Sequence, residues 1–270
     1  MLALRGAFTF LTRVPVPGAD PADWHAFRRS PWTFPVVGTV VGAVAGLAFL
    51  APSPWTATAG YLVALYLLTG VTHADGLADL GDAVAVHDPD RRLSVLKDAD
   101  LGVGGALALG VTLLATTLGA LALATGPAGD AGGGVVDGST DGALVGSVAI
   151  VVVLAAEVGA KAGMALLACL GTPTHEGLGS AVVGEVGPRS LVAVAAVSVA
   201  VVSVPALLAV PSGVLPAVAA ALLAGPAVSL LLLVRVRPWL GGVSGDVFGA
   251  ANELGRAVAL HAGVIAWAIA

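Results

Sequence analysis

The stretch SPWTFPVVGTVVGAVAGLAFLAPSPWTATAGYLVALYLLTGVT, from Ser30 to Thr72, contains no charged side chain. Its one interruption is Pro52-Ser53-Pro54, so it reads as two helices, about 34–51 and 55–71, each long enough to cross hydrocarbon. Working outward, Leu101 to Gly129 is also free of charge and predicts a helix over about 101–125. Residues 143–170 are apolar apart from Glu157 and Lys161. The uncharged run between Arg189 and Arg235 has room for two helices of about 20 residues each, turning at Pro211-Ser212-Gly213. A last helix is expected from near Asp246 to Ala270, carrying Glu253, Arg256 and His261. The expectation is seven transmembrane helices.

Composition agrees. Of 270 residues, 57% are hydrophobic and only 11% are charged, where soluble domains carry about 25% charged residues. So few charges cannot cover a soluble surface, and so apolar a chain is not disordered. Cys169 is the only cysteine, which excludes a disulfide scaffold. A net charge of −5 gives no global basic field for nucleic acid. The fold class is an all-α, polytopic integral membrane helical bundle, read as a single membrane-embedded domain over 1–270.

Lysine and arginine give the orientation. Every one of the 12 basic residues except Lys161 falls in 1–33, 72–100, 171–190 or 235–256, and the turns 52–54, 126–142 and 211–213 hold none. The N-terminus is therefore expected in the cytoplasm, with 1–33 an inner, interfacial segment and not a cleaved signal. The glycine-rich segment 126–142 becomes a flexible external loop. A multi-pass protein of the cell membrane follows, with its polar segments 72–100 and 235–256 facing the cytoplasm.

Those two segments carry the chemistry. THADGLADLGDAVAVHDPDRRLSVLKDAD, 72–100, holds seven aspartates directly after a span. On a helix, Asp75, Asp79 and Asp82 stand at i, i+4 and i+7 and share one face. Three carboxylates on one stripe repel each other unless a cation intervenes, and an oxygen-only set suits magnesium or manganese better than zinc. In GGVSGDVFGAANELGR, 241–256, Asp246 and Glu253 are again i and i+7, so the metal set is expected to be Asp75, Asp79, Asp82, Asp246 and Glu253. Gly249 and Ala250 lie small between the last two, leaving room for a ligand or another helix. Gly241, Gly242 and Gly245 precede a helix start, where free N–H groups favour a phosphate. Lys97 and Asp98, just before Gly102, Gly104 and Gly105, make a third contact, for phosphate or metal. Glu157 and Lys161 lie four apart inside a span and should face the interior, either pairing with each other or with Lys161 reaching an anionic substrate. His73 has two readings, hydrogen-bonding a phosphate or carrying a proton on one side and polar packing on the other. His87 and His261 have no partner evident in the sequence. Carboxylate stripes, glycine-rich helix starts and flanking cations on one membrane face describe metal-assisted phosphoryl transfer.

The strings FTFLTRVPVP (8–17), FPVVGTVVGAVAGL (34–47), THADGLADLGDAV (72–84), LKDADLGVGGALAL (96–109), HEGLGS (175–180) and GGVSGDVFGAANELG (241–255) resemble, in order and over essentially the whole chain, the cobalamin synthase family. Its members are adenosylcobinamide-GDP ribazoletransferases, also called cobalamin-5′-phosphate synthases. The resemblance implies a magnesium-dependent membrane enzyme in which a ribose hydroxyl of α-ribazole or its 5′-phosphate attacks the cobinamide-linked phosphorus and GMP leaves. It implies Asp75, Asp79 and Asp82 as the principal metal site, Asp98, Asp246 and Glu253 as further acidic contacts, and Arg13 as a substrate contact. His73, Arg91, Lys97, Gly177 and Gly179 also fall on matched positions. The chain departs from the family pattern at Ala83, at Ala99-Asp100, at Lys161 where an arginine is usual, and at His175. Membrane lipid is the surrounding partner, and a second copy of the chain or other corrinoid-pathway enzymes are further candidates. Two other readings compete. A CDP-alcohol phosphotransferase would show D-x-x-D-G-x-x-A-R, which no segment fits. An ion-coupled transporter would need acids near mid-bilayer, and only Glu157 is plainly there.

Overall fold

A computed structural model describes residues 1–88, 91–96, 98, 100–126, 140–174, 177 and 179–270. The regular secondary structure of the described residues is helical, with one isolated parallel bridge between Pro173 and Val243. Expectations placed on Lys97, Ala99, His175 and most of the 126–142 loop lie outside them.

The central post is α8, Thr140–Leu170, which is apolar around its circumference and buried over most of its length. On one side α3, Thr33–Gly46, presses against it through glycines. A Cβ on Gly38 would stand 2.6 Å from the Glu157 carbonyl oxygen, and one on Gly42 2.7 Å from Leu154 Cα. On another side α10, Leu215–Leu240, sets Gly225 directly on the backbone of Gly159. In lipid no hydrophobic effect drives helices together, so close backbone approach through small residues supplies the packing. The remaining core helix, α11 (Gly245–Ala268), is enclosed by α8, α10, α5 (Thr72–Ala85) and α7 (Val103–Thr125). Exposed apolar residues lie on the outward faces of α7, α10 and α9 (Leu191–Ala209), among them Leu107, Val111, Val199, Leu208, Leu230 and Val234. The pattern is polar inside and apolar outside, as lipid solvation requires.

Five described helical stretches are long and apolar enough to cross a membrane: Thr33–Leu50, Val103–Thr125, Gly142–Leu170, Pro188–Ala209 and Ser212–Leu240. A sixth arises if α4, Pro54–Thr69, is joined to α5, although the two are bent by 92°. The seven expected spans counted α4 and the last helix as crossings of their own. At 16 residues α4 is about 24 Å long, short of the roughly 30 Å of hydrocarbon. The last helix is long enough but carries Asp246, Glu253 and Arg256, which lower its apolarity. We read α5, with three aspartates along it, as lying outside the spans.

The polar segments gather at one end of the bundle. There α1, Leu2–Leu11, packs on α2, Pro21–Arg28, and Arg5 Nε donates to Asp23 Oδ2 at 3.0 Å. Asp20 and Asp23 form a reciprocal capping box that starts α2. Arg28 reaches the 171–190 segment, bonding Glu185 and the Ala181 carbonyl. Arg237 Nη2 donates at 2.6 Å to the Leu170 carbonyl and so caps α8. Val243 N donates to Thr172 O at 2.8 Å and Thr174 N to Val243 O at 3.2 Å, which tethers the chain entering α11 to the chain leaving α8.

Candidate active site

The corner between α4 and α5 is made by Gly70, whose φ of +68° suits glycine. Arg13 closes over it. Its backbone N donates to Leu68 O at 2.6 Å, and a Cβ on Gly70 would lie 2.9 Å from Arg13 Cγ. The N-terminal segment is thereby fixed where α5 begins, and Arg13 itself is exposed.

Beyond that corner α5 crosses the first turns of α11 almost backbone to backbone. A Cβ on Gly76 would stand 2.7 Å from Asp246 Cα, and one on Gly249 2.6 Å from the His73 carbonyl oxygen. The small residues expected to make room at Gly249 do so for α5. Two acidic helices 170 positions apart in sequence are thus brought into contact, with Asp75 exposed and Asp79 and Asp246 partly buried. Ser244, which caps α11, also donates to Asp246 Oδ2 at 3.0 Å. Burial, and then the carboxylates of Asp246, Asp75 and Asp82, push the Asp79 carboxyl up to about 6. A carboxylate so disfavoured by its neighbours marks a field that a cation relieves.

Asp82 does something else. Its two oxygens accept from Gly102 N and Gly105 N, both at 2.8 Å, so it caps the start of α7. The glycine-rich start expected to take a phosphate is filled by this carboxylate. Asp98 is exposed and shares with Asp82 and Asp100 a pocket of about 350 Å³. Ala85 and Gly104 join that pocket to an apolar groove of about 480 Å³ between α5 and α7. Arg91 is exposed at the start of the single turn α6, Arg92–Val95, whose Arg92 guanidinium lies 5.3 Å from the ring centre of Trp239. Gly177 N donates to Ser180 Oγ at 2.8 Å, and Gly179 packs on the backbone of Gly245 at the head of α11.

Glu253 departs from the expected metal set. It is 2% exposed and accepts from Arg256 Nη1 at 2.7 Å, from Asn252 Nδ2 at 3.0 Å and from Tyr66 OH at 3.4 Å. Arg256 in turn grips Glu157 with two nitrogens, Nε closely and Nη2 at 3.2 Å. Lys161 Nζ donates to Asn252 Oδ1 at 2.5 Å and lies 3.9 Å from Glu157. Glu157, Lys161 and Arg256 are all fully buried. Of the two accounts open for Lys161 the structure takes internal pairing, and the residue reaches no surface from which to contact a substrate. His73 is 8% exposed with Nδ1 buried and unpartnered. His261 Nε2 stands 2.9 Å from the Ala115 carbonyl and ties α11 to α7, a contact no local spacing reveals.

Arg256, Asn252, Tyr61 and Tyr66 are polar members of this interior that sequence reasoning did not assign. The signal was available only for Arg256, three residues after Glu253 in a helix too charged to be a plain span. Among the described residues no three His, Cys, Asp or Glu side chains close on one point as a ready-made metal site. By donor chemistry Asp75, Asp79 and Asp246 are the ones that can hold a hard divalent ion, since Asp82 and Glu253 are engaged elsewhere.

Comparison with known proteins bears on this arrangement. The family model described as cobalamin-5-phosphate synthase matches residues 3–264. The chain is 50% identical to the adenosylcobinamide-GDP ribazoletransferase of Halorubrum lacusprofundi over 99% of this chain and 98% of that protein. It is 43% identical to the protein of the same name from Haloquadratum walsbyi, covering 98% of each. To the Escherichia coli protein of that name it is 33% identical, over 94% of this chain and 96% of the other. No solved structure matches.

Proposed function

Because the chain belongs to the cobalamin-5-phosphate synthase family, we propose that it transfers the adenosylcobinamide-phosphate group of adenosylcobinamide-GDP to α-ribazole or α-ribazole 5′-phosphate. The acceptor hydroxyl oxygen forms the new bond to the cobinamide-linked phosphorus, the bond from that phosphorus to the GMP oxygen breaks, and the hydroxyl proton is released. The observation that carries the reading is the crossing of α5 and α11, which sets Asp246 on Gly76 and against Asp79.

Asp75, Asp79 and Asp246 are the residues that hold magnesium or manganese in this reading. When bound, such an ion neutralises pyrophosphate charge and activates the attacking hydroxyl. The protein's own part is placement. Arg13, fixed over the α4–α5 corner, is the cation assigned in this reading to a phosphate of the substrate. The exposed head of α11 at Gly245, flanked by Gly179, offers backbone N–H groups to another. The pocket beside Asp82 and Asp98 and its adjoining apolar groove accommodate a bulky, amphipathic group. The described arginines outside the interior lie at this same end of the bundle, so the positive-inside rule supports a cytoplasmic N-terminus and site in the cell membrane.

The test is direct. Protein purified in detergent and given adenosylcobinamide-GDP, α-ribazole and magnesium releases GMP, and chelation of the metal stops it. Release that persists undiminished in Asp79→Asn and Asp246→Asn overturns the assignment of the site.

A further inference from the structure

Glu157, Lys161, Glu253 and Arg256 carry two charges of each sign and sit together in the interior of an apolar bundle. Replacing a buried ion pair by apolar residues of similar volume commonly leaves a fold as stable as before, so stability is a weak account of this network. What hydrogen-bonded charges supply in such a place is direction. Around Gly255 the face that α11 turns to α8 and α10 is built of small residues. A Cβ on Gly255 would stand 3.3 Å from Gly225 Cα and 3.7 Å from Ala160 Cα. Surfaces of this kind permit close approach and present few side-chain knobs to stop one helix sliding along another.

The directional contacts are the polar ones. Arg256 forks onto Glu157 of α8 with Nε and Nη2, and Asn252 takes the Lys161 ammonium one turn away. From α4, Tyr61 OH lies 3.5 Å from Glu157 and Tyr66 OH 3.4 Å from Glu253. His261 fixes α11 to α7 and not to α8 or α4. Ten residues before Arg256, about 15 Å along the axis, Asp246 stands on Gly76 of α5. The geometry points to Glu157, Lys161 and Arg256 as positioning residues: their network pins α11 axially against α8 and so sets Asp246 opposite Asp79. The inference rests on the reading of Asp75, Asp79 and Asp246 as the cation-holding set.

It is tested without substrate, by titrating Mn²⁺ into purified protein and following free Mn²⁺ by electron paramagnetic resonance, with thermal unfolding measured in parallel. Glu157→Met/Arg256→Met removes one charge of each sign, and Glu253 and Lys161 each lose a charged partner with it. The expected result is Mn²⁺ affinity about tenfold weaker, with unfolding earlier than wild type because Glu253 and Lys161 stay buried. Arg256→Lys, which keeps the charge and loses the fork, weakens Mn²⁺ binding in the same direction and decides the matter if the double variant does not fold. Lys161→Met, which removes the donor to Asn252, weakens Mn²⁺ binding in the same direction, and wild-type affinity there takes Lys161 out of the positioning set. Wild-type affinity in the double variant, or in Arg256→Lys where the former does not fold, overturns the positioning role alone. A wild-type protein that binds no Mn²⁺ overturns the cation reading, and the positioning role falls with it.

Discussion

Two acidic regions of this protein use the same residue types to opposite ends. In the bundle interior Glu157 and Glu253 each meet Arg256 within hydrogen-bonding reach, and the cluster is neutral and sealed. At the α5–α11 crossing Asp75, Asp79 and Asp246 face one another near the surface, and the Asp79 carboxyl is pushed up to about 6. The first group is satisfied by the chain itself. The second is assembled by backbone contact at glycines, where burial and mutual repulsion together disfavour the charged form of Asp79, a cost that a cation lowers.

That contrast can be broken at several points. The largest effect is expected in the interior. Glu157→Ala strands Arg256 without its main partner and destabilises the protein by about 3–5 kcal/mol, read by thermal or denaturant unfolding in detergent. Next comes the crossing itself. Asp79→Asn or Asp246→Asn lowers GMP release by about 100-fold or more while leaving unfolding unchanged or slightly later, because repulsion is relieved. Gly249→Val separates the helices, since even a Cβ would meet the His73 carbonyl at 2.6 Å. It costs about 1–3 kcal/mol of stability and most of the activity. Asp82→Asn retains an acceptor for the start of α7, so it costs about 1 kcal/mol and keeps activity within about tenfold. Activity lost as completely as in Asp79→Asn would return Asp82 to the metal set.

The smallest effect is one of pH. With the folded value of Asp79 raised to about 6 from an ordinary 3.8, the folded protein binds the extra proton between those limits. Metal-free protein therefore loses stability as pH rises from about 4 to 6 and regains nothing above. Comparing the unfolding temperature of wild type and Asp79→Asn across that range isolates the effect, which vanishes in the variant.

Much of the architecture was legible because lipid enforces a simple rule on sequence. The helix expected at 101–125 from a charge-free gap runs Val103–Thr125, and the charged last helix, expected from near Asp246 to Ala270, runs Gly245–Ala268. The acidic stripe of α5 and its meeting with α11 were likewise readable from spacing and from the small residues at Gly249. What failed was depth. Asp246 and Glu253 share a helical face, but seven residues place the second about 10 Å further along the axis, beyond the boundary and among the interior charges. Angular periodicity carries no information about that displacement. The capping role of Asp82 failed for another reason, since its partners lie about 20 residues on and across a turn whose path the sequence does not state.

The right-angle corner at Gly70 has a consequence for how this chain tolerates change. Ahead of the corner, α4 keeps Tyr61 and Tyr66 on the interior network, and its outer side needs only to stay oily, so that drift among Leu, Val and Ala there is harmless. Past it, inserting or deleting one residue in α5 would rotate its aspartates by about 100° away from α11. Membrane anchoring and chemistry are thus hinged at a single glycine, and the two halves are free to evolve at different rates.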